Sequence, residues 1–350
     1  MKLMEALAAL DALDTRVKGR CRHVASEIAA VAVCAVNAGA TSYYDIEAWG
    51  RDKIDELRKF LRLENGIPSH DTFRRFFKET SPGVMNYVFS LWIAGVAELE
   101  AGDAVHVDGK TLRRAAGADG RQPCIVSAYS SRRRLVVAQT KADEKSNEIT
   151  AIPRLLEGMD LRGATVTIDA AGCQRGNAEI VARRGGDWFF ALKGNQGTFL
   201  GEFEELFRTP FADRERRFKE HSETRKGHGR VTTWKCTHTG WTDWFADREL
   251  WAGLRSVAMV EPGTLRQRDG TTTRDVRYFA SSIAVDPKRA LELAVSHWDV
   301  ENPLHWTLDM VYDEDHSRTR TGHGAENLAI LRHMALNAVR LADMPEEGVK

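Results

Sequence analysis

Apolar residues recur at spacings of three and four along the first hundred residues. This period places them on one face of a helix, so the pattern predicts a helical N-terminal domain over residues 1–100. Another helix is expected to begin near Thr72, where Ser69 or Asp71 can cap its first turn. Such a domain suits DNA binding, and a plain packing role fits the pattern equally well. The other predicted helices cover residues 4–17, 25–38, 43–60 and 84–99.

The pattern changes after Gly102, where short β-branched runs begin to alternate with helical spacings. The runs contain few polar residues, which is typical of strands buried on both faces of a sheet. Their order, β-β-β-α-β-α-β-α, predicts an RNase H-like α/β core whose first part spans residues 101–209. The predicted strands are 104–108, 125–129, 135–140, 164–169 and 188–192, and the predicted helices are 147–157, 177–184 and 197–209.

Residues 210–285 are rich in Arg, Thr and Trp, and their strand patterns predict a β-rich insertion into the core. Helical spacing returns over 286–350, which we expect to complete the core. Pro303 should interrupt the first helix of this last segment. The predicted strands of the insertion are 231–237, 256–260 and 272–281, and the predicted late helices are 288–310 and 325–341.

The charge of the whole chain is balanced, with 50 Lys and Arg against 50 Asp and Glu. Proteins that bind nucleic acids are usually basic, so the total alone argues against such a partner. The distribution changes this picture, because residues 101–200 carry 15 basic and 11 acidic residues whereas residues 286–350 carry 7 and 12. Basic clusters at 132–134, 214–219 and 225–230 are more often solvated turns than a phosphate-binding surface.

The sequence also limits the compartment in which we expect the protein. No apolar run reaches the roughly 18 residues that a membrane span needs, and no secretory signal pattern opens the chain. The five cysteines are scattered without a C-x-x-C pair, which is typical of reduced thiols. We therefore expect a cytoplasmic protein without a membrane partner.

Three acidic residues are the candidates for chemistry. Asp108 and Asp169 each end a β-branched run, and Glu301 lies on a late helix. Because ligands of open α/β sheets bind at the carboxyl ends of the strands, the two aspartates should reach one edge of the sheet. Converging carboxylates suit Mg²⁺, and two such ions can activate a water or a 3′-hydroxyl for attack on a phosphodiester. A single aspartate after a strand more often caps a turn.

Several polar residues follow the same strands. Lys110, Arg113 and Arg114 come directly after Asp108, where they could contact the scissile phosphate strand of a nucleic acid. Lys193 and Asn195 follow another predicted strand and could do the same. Solvated surface charge is the alternative for each of the basic residues.

Two further groups have alternative interpretations. His297, Glu301 and His305 are spaced four apart, which could place a zinc site on one helix face, but Pro303 interrupts that helix. Trp234 lies in the insertion, where packing is the more common role and stacking on a displaced base is the functional one.

The sequence from Val107 to Arg113, VDGKTLR, resembles the first-acid motif of bacterial insertion-sequence transposases of the DDE type. The similarity is to the ISAs-type group that includes the H-repeat-associated proteins, and it covers nearly the whole chain. The other blocks that carry the resemblance are 66–72, 145–149, 167–170 with Gln174, 191–196, 297–306, 308–315 and 327–337.

The resemblance implies a function and a site. Asp108, Asp169 and Glu301 would be the catalytic triad, holding two Mg²⁺ or Mn²⁺ ions. The protein would cut DNA at the terminal inverted repeats of its element and join the freed ends to target DNA, acting as a homodimer on double-stranded DNA. The fold would be RNase H-like, with the β-rich insertion before the glutamate helix.

This chain differs from the family in two respects. Related transposases carry Tyr, Arg and Lys around the glutamate, where this chain has Ala294, His297 and Leu308, so His297 is expected to take the arginine role. The family also continues past the last helix, whereas this chain ends at Lys350, which predicts a truncated copy. An inactive DNA-binding remnant and an RNase H-like nuclease without strand transfer are the alternative functions.

Overall fold

The computed structural model describes residues 1–17, 19, 21–117, 120–142, 148–227, 230–266 and 272–342. The described chain forms two compact units. The helical unit comprises Met1–Glu98, Gly109–Asn147 and Glu301–Lys350, and the sheet unit comprises Leu99–Asp108 and Glu148–Val300. The Lys145–Asn147 part of one family-like block, His228 and the chain end from residue 343 lie outside the described residues.

The helices and strands of residues 101–209 follow each other in the predicted order, whereas the insertion contains elements that were not predicted. The α-helices are α1 Leu3–Leu13, α2 Ala25–Asn37, α3 Tyr43–Asp52, α4 Ile54–Leu57, α5 His70–Glu79, α6 Pro82–Val96, α7 Glu148–Glu157, α8 Arg175–Arg183, α9 Gly197–Arg208, α10 Arg214–Arg217, α11 Pro287–Asp299, α12 Thr307–Met310 and α13 Gly324–Ala342. The strands are β1 Ala104–Thr111, β2 Cys124–Ser130, β3 Leu135–Lys141, β4 Thr165–Ile168, β5 Asp187–Leu192, β6 Phe218–Gly227, β7 Arg230–Thr239, β8 Ser256–Arg266, β9 Thr272–Arg274 and β10 Arg277–Ser281.

The N-terminal part of the helical unit confirms the predicted helical segment. The side chain of Ser69 accepts a hydrogen bond from the Thr72 amide, and this cap starts α5 at His70. The predicted helix over 43–60 is divided into α3 and α4, because Lys53 leaves the helical conformation with φ −105° and ψ 18°. Helix α2 is buried along most of its length, since it consists mainly of alanine and valine.

The C-terminal helix of the helical unit packs on the antiparallel pair β2–β3. The side-chain amide of Asn337 on α13 accepts from the Val136 amide at 3.0 Å and donates to the Val136 carbonyl at 2.8 Å. The Asn337 side chain thus pairs with both backbone groups of Val136, as a neighbouring strand would, and this holds α13 against β3.

The sheet of the sheet unit has the order β1-β4-β5-β10-β8-β7-β6, and β9 pairs with β8. Strands β1, β4 and β5 are parallel to one another, whereas β10 lies antiparallel to both β5 and β8. Strand β4 is buried at every position, as predicted for a strand covered on both faces. Helix α11 packs against this sheet in a hydrophobic core that includes Phe189 and Phe279. The rings of these two residues stack, with their centres 4.6 Å apart.

One prediction for the insertion was incomplete. Residues 214–219 and 225–230 were expected to be solvated basic turns, but Arg214–Arg217 is a short helix and Phe218–Gly227 is strand β6. Strand β6 pairs with β7 from Phe218 opposite Thr239 to Gly227 opposite Arg230. The backbone hydrogen bonds to β7 form this strand although its own residues are mostly polar. No helix among the described residues is long and apolar enough to cross a membrane.

Candidate active site

The structure brings two of the predicted acids together at one edge of the sheet unit. Strands β1 and β4 are parallel and pair His106 with Thr167 and Val107 with Ile168. Asp108 and Asp169 are the next residues along these two strands, and neighbouring strands lie about 4.8 Å apart. Asp169 directly follows β4, as predicted, whereas the prediction that Asp108 ends its strand was wrong, because β1 continues to Thr111. Both aspartates are partly exposed. We call this pair the carboxylate rim.

The loop after β4 fixes the orientation of Asp169. Its Oδ1 accepts hydrogen bonds from the backbone amides of Ala171 at 3.0 Å and Gly172 at 3.2 Å. This Asx-type turn holds one carboxylate oxygen, and neither of the two bonds uses Oδ2. Gly172 is needed here because a Cβ would lie 2.2 Å from Cγ2 of Ile168.

Two side chains from the short 3₁₀ turn after β5 hold this loop in place. The Asn195 amide donates to the Ala170 carbonyl at 2.6 Å, and the Gln196 amide donates to the Cys173 carbonyl at 3.0 Å. Asn195 therefore lies next to the carboxylate rim, while Lys193 is exposed just before it. Burial, and then the charge of Asp169, raises the pKa of the Cys173 thiol to about 12, so this thiol stays protonated near neutral pH.

A buried hydrogen-bonded series lies behind the rim. Oγ1 of Thr167 is 2.6 Å from Nδ1 of His106 and 2.8 Å from Nδ1 of His297 on α11. Burial, followed by the charges of His297 and Arg289, lowers the pKa of His106 well below its usual range. Because one hydroxyl proton can serve only one acceptor, at least one of the two Nδ1 atoms must donate to Thr167. The tautomers of the two histidines are thus linked, and the ring of His297 is held in place.

The predicted basic residues after Asp108 differ in exposure within the helical unit. Lys110 is 11 % exposed, and its Nζ lies 2.6 Å from Oδ1 of Asp309 and 3.2 Å from Oδ1 of Asp315. Arg113 is 77 % exposed and lies 3.4 Å from Asp315, while Arg114 is also exposed. The phosphate contact expected for Lys110 stays a prediction, and its ammonium faces carboxylates of its own chain.

Comparison with known proteins identifies the family of this chain. A model described as "Transposase DDE domain" matches residues 102–338, and one described as "DDE_Tnp_1-associated" matches residues 5–93. The chain belongs to the DDE transposase family. It is 37 % identical to the "H repeat-associated putative transposase YhhI" of Escherichia coli (strain K12), over 96 % of this chain and 89 % of that protein. It is 40 % identical to the "Uncharacterized protein in dhlA 3'region" of Xanthobacter autotrophicus, over 76 % of this chain and 89 % of that protein.

A solved structure of a piggyBac transposase synaptic complex with hairpin DNA also matches 99 % of this chain and 73 % of that chain. The TM-score is 0.40 and the sequence identity is 10 %, so this likeness adds nothing to the argument. Membership of the DDE family itself establishes the RNase H-like fold and the insertion-sequence transposase class. Transposases of this family act on DNA and generally use divalent metal ions.

The third predicted acid lies in an irregular helical segment of this DDE family member. Residues Glu301–Trp306 form a π-helical turn, as expected from Pro303, which cannot donate the regular helical hydrogen bond. The side chain of Glu301 lies outside the described residues, and so does that part of the alternative zinc set. Burial, and then the charge of Lys110, lowers the pKa of His305 to about 4.

The two positions expected to correspond to the family's tyrosine and lysine are apolar packing sites in this transposase. Ala294 and Leu308 are both buried. Trp234 of β7 stacks on Trp298 at 5.1 Å, and the guanidinium of Arg277 lies 4.1 Å from the Trp298 ring centre. One face of Trp234 is therefore used for packing. Across the part of the chain that the structure describes, no cluster of three His, Cys, Asp or Glu side chains is arranged to hold a metal ion.

Sequence reasoning missed His106 and Thr167 as supporting residues. Each lies two positions before an aspartate of the rim, so the strand period places it on the same face as that aspartate. Polar residues at these buried positions were the available signal.

Proposed function

We propose that this protein cleaves DNA at the ends of a bacterial insertion sequence and transfers the freed 3′ ends to target DNA. The proposed catalytic triad is Asp108, Asp169 and Glu301, with two Mg²⁺ or Mn²⁺ ions. The observation that carries the proposal is the register of β1 and β4, which makes Asp108 and Asp169 neighbours where the pairing of these parallel strands ends, at the carboxyl end of β4. In open α/β sheets this is the edge where ligands bind.

The donor chemistry of the rim fits a hard divalent cation. Asp108 and Asp169 offer carboxylate oxygens at a partly exposed edge, and two backbone amides orient the Asp169 carboxylate. Mg²⁺ and Mn²⁺ favour such oxygen ligands, whereas the softer Cys173 thiol is buried and protonated. Bound there, the ions would supply charge stabilisation and an activated oxygen nucleophile.

The other residues of the site position the carboxylates and the DNA. Asn195 and Gln196 brace the loop that carries Asp169. The imidazole of His297, oriented through Thr167, would provide the phosphate contact that related enzymes obtain from arginine. The exposed residues Arg113, Arg114 and Lys193, which offer charge to a nucleic-acid backbone, would bind the DNA strands.

The partner in this proposal is double-stranded DNA, both the terminal inverted repeats and the target. The protein would act in the bacterial cytoplasm as a homodimer on DNA, because one subunit per element end allows both ends to be cut together. Residues 1–100, 101–209, 210–285 and 286–350 would serve as the associated domain, the first core part, the insertion and the second core part.

The test is a nicking assay on duplex DNA that carries the inverted repeats flanking the gene. Wild type should nick the DNA only with Mg²⁺ or Mn²⁺, and Asp169→Asn should abolish nicking. The matched control is Asp160→Asn, because Asp160 is an exposed aspartate of the same unit that forms an ion pair with the nearby Arg162. Equal nicking by wild type and Asp169→Asn would contradict the triad. A strand-transfer assay separates a transposase from a nuclease that cuts without joining.

A further inference from the structure

Three acidic residues of the C-terminal region surround one lysine in the helical unit. Nζ of Lys110 lies 2.6 Å from Asp309, 3.2 Å from Asp315 and 3.9 Å from Glu314. We call these four residues the lysine cluster. Arg332 adds a second buried cation, 3.6 Å from Glu314. These two cations offset much of the negative charge of the three carboxylates and so weaken its field at the protein surface.

The lysine cluster joins two segments that are distant in sequence. Lys110 lies near the end of β1, whereas Asp309 lies in α12 and Glu314 and Asp315 lie in the 3₁₀ turn Glu314–His316. Each segment continues directly into arginine: Arg114 follows the first segment, and Arg318 and Arg320 follow the second. The ion pairs therefore bring three arginines together from both sides.

These arginines form an open cavity of about 560 Å³, whose described lining consists of Arg114, Arg318 and Arg320. All three side chains are exposed, and Nε of Arg320 donates to the Arg114 carbonyl at 2.9 Å. No ion pair joins any of them to a carboxylate within the described ranges. We call this feature the arginine cavity. Three like charges that share a cavity favour an anion there.

We propose that the arginine cavity binds backbone phosphates of duplex DNA. This proposal rests on the proposed function, in which DNA is the substrate. Guanidinium groups match phosphate oxygens with paired hydrogen bonds, and the described lining, which is all arginine, suits a backbone better than a nucleotide base. A wide, exposed cavity without a buried anchor favours a polyanion, since release of counterions from DNA drives its binding.

The experiment measures binding to a duplex without divalent metal, in EDTA, over a range of KCl concentrations. Arg318→Gln/Arg320→Gln should weaken binding and flatten the slope of log K against log[salt] by about 2, because each lost phosphate contact removes about 0.9. Arg318→Gln alone should flatten it by about 1. The single variant separates loss of a phosphate contact from loss of structure, because Arg318 takes no part in the hydrogen bond between Arg320 and Arg114.

Two controls make the outcome specific. Arg162→Gln removes an arginine that is 81 % exposed and paired with Asp160 in the sheet unit, and it should leave the slope unchanged. Competition at equal ionic strength with inorganic phosphate should displace the duplex no better than chloride. Loss of inorganic-phosphate binding in the double variant with an unchanged duplex slope would overturn the assignment to DNA.

The result also separates this proposal from the proposed function. If wild type and Asp169→Asn both bind the duplex and the double variant keeps their slope, the arginine cavity is excluded and the transposase proposal stands. If wild type does not bind the duplex even at low salt, both proposals are contradicted.

Discussion

The carboxylate rim and the lysine cluster both contain acidic side chains, but they differ in the groups that lie beside the carboxylates. At the rim, Asp169 is partly exposed and is oriented by two backbone amides. In the lysine cluster, Glu314 is 2 % exposed and lies between Lys110 and Arg332. Carboxylates that the chain neutralises itself hold segments together, whereas carboxylates oriented at a strand edge suit a ligand cation.

Hydrogen bonding within the lysine cluster sharpens this contrast. Oε1 of Glu314 is buried without a hydrogen bond from the described residues, since Arg332 at 3.6 Å is close enough for an ion pair only. Burial raises the pKa of Glu314, although the charges of Arg332 and Lys110 act in the opposite direction. For Lys110, burial acts to lower the pKa, but Asp309, Glu314 and Asp315 outweigh it and raise the pKa. The ion pairs of the lysine cluster therefore depend on the Lys110 ammonium.

The largest expected effect lies in the triad. Asp108→Asn and Glu301→Gln should each reduce metal-dependent nicking at least about a thousandfold, which is about 4 kcal/mol at the transition state. Each change removes one charge and keeps the side-chain size. Initial nicking rates measure the effect, with Glu292→Gln on the exposed side of α11 as the control. A wild-type rate for Glu301→Gln would remove that residue from the site.

Removal of the cation from the lysine cluster should mainly cost stability. Lys110→Met would leave the buried Glu314 and the half-buried Asp309 without their ammonium, and loss of one partner of a buried ion pair costs about 3–5 kcal/mol. Urea unfolding monitored by circular dichroism measures this cost. The exposed Lys59→Met should change the free energy of unfolding by less than about 0.5 kcal/mol. Similar values for the two variants would show that the cluster contributes little.

The buried hydroxyl behind the rim should have a smaller effect. Thr167→Val keeps the shape but removes the oxygen that contacts both His106 and His297, which should cost about 1–3 kcal/mol of unfolding free energy. Nicking should also slow, because the ring of His297 loses its support. Thr167→Ser retains the hydroxyl and should recover most of both losses. If valine and serine variants behave alike, the hydroxyl has no positioning role.

The smallest effect is a pH dependence. Because the pKa of Glu314 is raised, the folded protein holds this proton more tightly than the unfolded chain does. The contribution of Glu314 to the free energy of unfolding should therefore fall as the pH rises above 4.5, its ordinary value. Urea unfolding at several pH values should show wild type losing stability relative to Glu314→Gln across this window. A constant difference, or one of opposite sign, would contradict the assignment.

The fold could be predicted wherever burial leaves a period in the sequence. Helical spacing and β-branched runs located the N-terminal helices and the strands β1 to β5, because both patterns reflect which faces are buried. Strand β6 was missed because nearly every residue from Lys219 to Lys226 is polar, so no apolar alternation marks it. Its pairing with β7 is a contact between strands that no local pattern contains.

The sequence predicted the acidic residues of the site but not the contacts that surround them. Asp108 and Asp169 were both predicted to end strands, which holds for Asp169 only, and the register of β1 and β4 makes the two residues neighbours. The burial of Lys110 could not be recognised, because its partners lie about 200 residues away in sequence. The density of acids from Asp309 to Asp315 was the one available signal. The balanced net charge of the chain was misleading for the same reason, since buried acids count in the total without repelling DNA.

The most direct test of the central claim is the binding of Mn²⁺, followed by electron paramagnetic resonance in wild type, Asp169→Asn and Glu314→Gln. The account predicts that Asp169→Asn weakens Mn²⁺ binding at least about tenfold and that Glu314→Gln binds as wild type does. Weaker binding by Glu314→Gln with wild-type binding by Asp169→Asn would place the metal in the lysine cluster and contradict the assignment of the carboxylate rim.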